Sequence, residues 1–278
     1  MTKKYKEYNF VLGNLSKDKE ILIALLAHAG FEGFVETPEG FLAYTYEDIL
    51  LDEVLSGLPI DYTVTIKEVP EKNWNETWEK QIKPLIIDEH VYIRTSFHPQ
   101  KEYPVTITID PKMSFGTGHH ETTYLMIKQL LQMDLQDKSV IDMGSGTGVL
   151  AILADKLGAK PIFAIDNDKW AFQNALENFN TNDTPQIKTF LGDATILKEL
   201  PAVDVFLANI NRNILLRDMA RYVKHIKPNG QLIISGFYQS DVPLLLEEGK
   251  KNGMVFESME IKNDWTSLKF KKTPQDVN

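Results

Sequence analysis

Two rhythms of apolar and polar positions run through the first 65 residues. Residues 5–13, YKEYNFVLG, read as a strand. KEILIALLAHAG then carries Ile21, Leu22, Leu25, Leu26 and Ala29 at helical spacing, after polar capping candidates at Ser16–Asp18 and before Gly30, a plausible stop. FEGFVETPEGFLAYTYE predicts a hairpin turning at Pro38–Gly40, DILLDEVLSGL a second helix, and DYTVTIKEV an alternating strand. The order β-α-β-β-α-β is that of the ferredoxin-like split unit, a small α+β fold.

Residues 67–84, KEVPEKNWNETWEKQIKP, are polar, with Trp74 and Trp78 one helical turn apart. That spacing suits a short linker helix, whose tryptophans either pack against a domain or stack on a ligand. From Ile86 the pattern changes. VYIRTSF and VTITID read as strands, and SVIDMG, IFAID, VDVFLAN and QLIISG are short apolar runs separated by helical stretches. Near-continuous apolar strands alternating with helices imply a parallel sheet covered on both faces. The expected division is residues 1–65, a linker over 66–84, and a larger domain over 85–278.

Composition narrows the chemistry. With no cysteine among 278 residues, a disulfide framework, a thiolate metal site and a cysteine nucleophile are excluded. No run approaches the ~20 apolar residues of a membrane span, so a soluble, unexported, cytoplasmic protein is expected. The formal charge is −9. Residues 1–65 hold 5 Lys and no Arg against 11 acids, a net −6. Such acidity argues against a broad grip on nucleic acid and suits a basic partner, although it also suits a merely solvated surface.

The strand SVIDMG leads into Gly144-Ser-Gly146-Thr-Gly148 and then a helix. Glycines there let the backbone turn sharply and approach a ligand at a helix N-terminus. The spacing is G-x-G-x-G and not the G-x-G-x-x-G of a dinucleotide fold. The next strand ends in Asp166, placed to accept hydrogen bonds from ribose hydroxyls. Asp193, in LGDA, either borders the base of that nucleoside or is an ordinary turn acid.

Taken together, Asp142-x-Gly144-x-Gly146-x-Gly148, Asp166 and Asn209 resemble the class I S-adenosylmethionine-dependent methyltransferases. Asp110-Pro-Lys-Met-Ser-Phe115-Gly-Thr-Gly-His-His-Glu-Thr-Thr123 and Ala208-Asn209-Ile210 sharpen this to a resemblance to the ribosomal protein L11 methyltransferase (PrmA) family. With the leading module and W-x-x-x-W linker, the resemblance spans essentially the whole chain. It implies an α/β fold, a seven-stranded mostly parallel sheet with a reversed last strand, preceded by a ferredoxin-like substrate-recognition domain. It further implies transfer of methyl groups from S-adenosyl-L-methionine to amino groups of ribosomal protein L11, on lysine side chains and/or the N-terminal α-amine. The cofactor positions it implies are Thr123, Gly144, Asp166 and Asn209, with Phe115, Gly116, Thr117 and Gly146 beside them. No metal, no membrane and no sequence-specific nucleic acid are expected, and a monomer is.

A lysine amine, with a reference pKa of ~10.4, must lose a proton before it attacks. The side-chain carbonyl of Asn209 and the backbone carbonyl of Ile210 are candidates to accept its remaining N–H bonds, which gives Asn209 an amine-positioning role. His119 and His120 either act as a base or shape their loop. Phe115 either covers the donor or anchors the loop; Tyr238 and Trp265 line an acceptor channel or belong to the core. Two other functions stay open: the same chemistry on another protein or a small molecule, and a ribosome-associated binding module without catalysis. Intact Thr123, Gly144, Asp166 and Asn209 speak against the last.

Overall fold

The computed structural model describes residues 5–12, 18–31, 33–45, 49, 51–55, 62–69, 83–110, 112 and 114–273. The chain divides into two compact units, Met1–Trp74 and Asn75–Asn278. In the first, β1 (Tyr5–Leu12), α1 (Asp18–His28), β2 (Gly33–Thr37), β3 (Gly40–Thr45), α2 (Leu51–Val54) and β4 (Tyr62–Val69) follow the ferredoxin-like order. The sheet is antiparallel, in the order β2-β3-β1-β4. Alternation in β1 turns Tyr8, Phe10 and Leu12 onto the core, where Leu22 and Leu26 of α1 are buried. Phe10 stacks on Phe41 with ring centroids 4.9 Å apart. The helix stops where the spacing places the stop: Gly30 takes φ +103°, and Phe31 N donates to Leu26 O at 3.0 Å, closing the last turn. β4 continues to Val69, past the boundary expected at 65. The proposed linker helix with Trp74 and Trp78 lies outside the described residues.

The second unit begins with a separate sheet, β5 (Leu85–Ile87), β6 (Val91–Arg94) and β7 (Val105–Thr108), in that spatial order. The two runs read as strands before the glycine loop therefore stand apart from the main sheet. After α3 (Glu121–Leu131) come β8 (Val140–Met143), α4 (Val149–Lys156), β9 (Ile162–Asp166), α5 (Lys169–Thr181) and β10 (Lys188–Leu191). A 3-10 turn over Ala194–Glu199 precedes β11 (Val203–Asn209), α6 (Arg212–Lys224), β12 (Ile226–Tyr238), α7 (Val242–Lys251), β13 (Met254–Lys262) and β14 (Trp265–Lys272). These build a seven-stranded sheet, β10-β9-β8-β11-β12-β14-β13. Neighbours from β10 to β12 are parallel, and β14 runs antiparallel to both β12 and β13.

Both faces of this sheet are covered, which is why its central strands lack alternation. Val140, Leu207 and Ile233 share one core with α3, α4 and the small sheet, whereas Ile141, Phe206 and Ile234 share another with α6 and α7. Phe206 is fully buried and stacks on Tyr222 at 4.8 Å. Strand order reverses at β8, whose neighbours β9 and β11 carry the chain in opposite directions. Ligands bind at such a switch point, beyond the carboxyl ends of the strands.

One charge-bearing residue interrupts the apolar middle. Asp142 of β8 is 1% exposed, and of its neighbours the backbone N–H of Ala151 favours its charged form. Burial pushes its pKa from 3.8 up to about 7, and the negative charge of Asp166 adds to the effect. A carboxyl whose folded pKa is raised contributes stability below its unfolded value and loses it as pH climbs through the folded value, here about 7. Asp142→Asn removes that loss. The melting temperature of the variant minus that of the wild type should widen from about pH 5 to about pH 8, and a constant gap would contradict a buried titrating carboxyl.

Candidate active site

Beyond β8 the chain enters the glycine loop, with φ +73° at Gly144 and +55° at Gly146. Gly144 N and Ser145 N both donate to Ile165 O, at 2.8 and 3.0 Å. A Cβ at Gly146 would lie 2.3 Å from the Phe115 carbonyl oxygen, so the 115–118 segment seats directly on the loop because no side chain intervenes. Thr147 completes the seat: its N donates to Phe115 O at 2.9 Å and its Oγ1 to Gly116 O at 2.6 Å.

A cavity of about 890 Å³ opens over this loop. Of the residues singled out in the sequence, Gly144, Gly146, Asp166, Asn209 and Phe115 line it. Asp166 receives Gly146 N on Oδ2 at 2.8 Å and Asp168 N on Oδ1 at 2.9 Å. The loop and the tip of β9 are thus fixed through one carboxylate, and each of its oxygens keeps acceptor capacity. Thr123, Gly116 and Thr117 do not line the cavity. Gly116 holds Thr147, and Thr117 Oγ1 lies 3.2 Å from His119 Nδ1.

Asn209 sits at the end of β11, between β8 and β12. Its Nδ2 donates to Thr123 Oγ1 of α3 at 3.2 Å, while Oδ1 is buried at the cavity and has no partner. A buried acceptor left unpaired costs about 1–3 kcal/mol.

Both histidines are held by hydrogen bonds. His120 caps α3: Nδ1 accepts from Thr122 N at 3.3 Å and faces Thr122 Oγ1 at 2.9 Å. In the neutral ring the proton is then on Nε2, and taking another on Nδ1 would forfeit the cap. His119 Nε2 donates to Lys83 O at 2.6 Å, which ties its loop to the start of the small sheet. Asp193 does not line the cavity; its Oδ1 caps the 3-10 turn, accepting from Thr195 N and Thr195 Oγ1 at 2.9 and 2.6 Å. Those bonds hold its carboxyl below the usual range.

Aromatic rings form one wall. Phe115 lies 5.1 Å from His120, His120 4.8 Å from Trp265, and Trp265 4.2 Å from Tyr238. Trp265 lines the cavity; Tyr238 packs on Trp265, half-exposed. Sequence reasoning passed over Trp170 and Gly236, which also line it. Trp170 is 82% exposed at the start of α5, just past Asp166, and a tryptophan opening a helix beside a strand-end acid was the available signal.

Residues 39–273 match the family profile described as ribosomal protein L11 methyltransferase (PrmA). A Bacteroides thetaiotaomicron protein named ribosomal protein L11 methyltransferase is 43% identical, over 96% of this chain and 99% of its own. A protein of the same name from Chlorobaculum tepidum is 38% identical, over 89% and 90%. The crystal structure of a ribosomal protein L11 methylase from Lactobacillus delbrueckii subsp. bulgaricus superposes with a TM-score of 0.63 at 26% identity, covering 69% of this chain and all of that one.

The cap on α3 can be tested by stability alone. His120→Ala should cost about 1–2 kcal/mol in urea unfolding, from the lost cap and ring contacts. His120→Asn, a good N-cap without an imidazole, should recover the capping share; an asparagine no better than alanine would contradict the assignment.

Proposed function

The chain belongs to the ribosomal protein L11 methyltransferase (PrmA) family, and from that premise we propose that it methylates amino groups of ribosomal protein L11, on lysine side chains and/or the N-terminal α-amine. It is an S-adenosylmethionine-dependent protein methyltransferase. The residues at the cavity suit that cofactor. Gly144 and Gly146 bare their backbone, Asp166 has acceptor capacity left for ribose hydroxyls, and Phe115, 53% exposed, is free to cover a ligand. When bound, S-adenosylmethionine supplies an electrophilic methyl group on a sulfonium, so no thiol or metal is required of the protein.

What remains for the protein is to hold the acceptor nitrogen with its lone pair in line. The unpartnered Oδ1 of Asn209 is the observation that carries this reading. It accepts one N–H of the amine, and Thr123 Oγ1 keeps the amide from rotating by receiving Nδ2. We therefore assign Thr123 to Asn209 and not to direct contact with the cofactor. Among the titratable side chains at the cavity, Asp166 receives two backbone N–H groups, Asp168 caps α5, His120 caps α3 and Lys112 pairs with Glu177, and we take water to receive the proton.

The leading unit, with its net −6 in residues 1–65, is the docking module in this proposal, since a basic substrate is steered by such a charge. We take the enzyme to act as a cytoplasmic monomer on a protein partner. Its net −9 favours a protein over nucleic acid, and among the described residues no helix is long and apolar enough to cross a membrane.

Incubation with labelled S-adenosylmethionine and unmodified ribosomal proteins, followed by mass spectrometry, should place methyl groups on amines of L11; label on no ribosomal protein would overturn the assignment. In the same assay Asn209→Ala should lose about 10²-fold in kcat with L11 binding retained, and full turnover would remove its positioning role. With water as the proton acceptor, log kcat/KM should rise with pH toward the pKa of the amine, and His120→Asn should leave that limb where it is. A limb that vanishes in His120→Asn would make the imidazole the base.

A further inference from the structure

β12 is interrupted beside the cavity. Its pairing with β14 runs from Gln231↔Lys271 to Ser235↔Ser267 and resumes at Phe237↔Thr266, so Gly236 is left over in a bulge. Bulges of this kind re-aim neighbouring groups and concentrate at functional sites. Gly236 has φ +101°, and a Cβ there would lie 2.2 Å from the carbonyl oxygen of Ile210 and 2.6 Å from its carbon. The Ile210 peptide therefore occupies the space in which a side chain at 236 would begin. On another flank a Cβ at Gly144 would lie 2.4 Å from Ile210 Cγ2. Gly144, Asn209, Ile210 and Gly236 all line the same cavity.

The bulge is anchored on both sides. Ser235 O accepts from Ile210 N at 3.1 Å, and Ser235 Oγ, fully buried, donates to Thr266 O of β14 at 2.8 Å. Ser235, just before the glycine, thus ties β12 to the end of β11 on one edge and to β14 on the other. A regular strand would put a side chain where the glycine leaves room.

We propose that Gly236 is a positioning residue for methyl transfer: its bulge sets the Ile210 carbonyl as a second acceptor beside Asn209 Oδ1. The inference rests on the reading of the site as an amine methyltransferase. A neutral primary amine carries two N–H groups and one lone pair. With a single acceptor it can rotate about that bond and sweep the lone pair through many directions. With two acceptors both N–H groups are held and the lone pair has one direction left, the one the in-line displacement needs. The nitrogen–carbon bond forms from that lone pair as the carbon–sulfur bond breaks, and the surplus proton on nitrogen passes to water. Gly236 touches none of the reacting atoms; it acts through where the Ile210 carbonyl lies.

The test compares full-length wild type, Gly236→Ala and Ser235→Ala with L11 as acceptor, alongside calorimetry of S-adenosylhomocysteine binding. Gly236→Ala should lose about tenfold or more in kcat, while KM for L11 and affinity for S-adenosylhomocysteine stay within about threefold. Ser235→Ala, which frees the bulge without adding atoms to the cavity, should lose kcat in the same pattern to a smaller degree. Unchanged kcat in Gly236→Ala overturns the inference, as does a loss of S-adenosylhomocysteine affinity in step with kcat, which would make the glycine a cofactor or folding residue. Should Gly236→Ala fail to fold, unchanged kcat in Ser235→Ala overturns it equally. A wild type that methylates no L11 amine fails the proposed function itself, whereas an active wild type matched by an equally active Gly236→Ala fails only the positioning role.

Discussion

Everything in the catalytic unit follows from the reversal of strand order at β8. Parallel strands present all their carboxyl ends along one edge of the sheet, and connections leaving β8 and β11 diverge to opposite sides. The gap this leaves cannot be closed by the chain's own connections, so it is kept as a cavity. Gly144, Asp166 and Asn209 come together there from strand ends far apart in sequence, because each terminates one of three neighbouring strands. Apolar packing on both faces holds the strands in register.

The site that results is built more from backbone than from reactive side chains. One carboxylate, Asp166, fastens the glycine loop to the neighbouring strand end, and the Phe115 and Gly116 carbonyls fasten a second loop over it. Side chains that would carry proton chemistry elsewhere are spent on caps and ties. This suits a reaction whose electrophile arrives with the cofactor, for which alignment is the protein's chief task. It also accounts for the low tolerance of side chains around Ile210, where two glycines approach one residue from different flanks.

Much of this was legible in the residues. Alternation in YKEYNFVL and helical spacing in EILIALLA give the leading unit its order, and apolar runs each followed by a helix give the parallel sheet. The loop glycines, Asp166 and Asn209 stand out because each lies at the end of such a run. Legibility fails where a role depends on a partner distant in sequence. Short runs such as VYIR and VTIT do not reveal which sheet they join, and they join each other. The glycine of QLIISG reads only as the end of an apolar run, and folding alone brings the Ile210 carbonyl against it. His120 reads as either a base or a loop-shaping residue, and only the fold shows it capping a helix through Thr122; Asp193 caps in the same way. Thr123, matched by resemblance to the cofactor, reaches Asn209 across 86 positions of sequence.

The antiparallel placement of β14 has a consequence for the order in which the enzyme can come into being. Of the seven strands it is the last to be synthesised, yet it lies inside the sheet, between β12 and β13. It carries Trp265 into the cavity wall, and Thr266 O receives the hydroxyl of Ser235. While the chain is still being made, β12 therefore has an open edge, the bulge at Gly236 lacks its anchor and the wall is incomplete. A chain cut before Trp265 would keep Gly144, Asp166 and Asn209 at three strand ends and lack both the aromatic wall residue and the tether of the bulge.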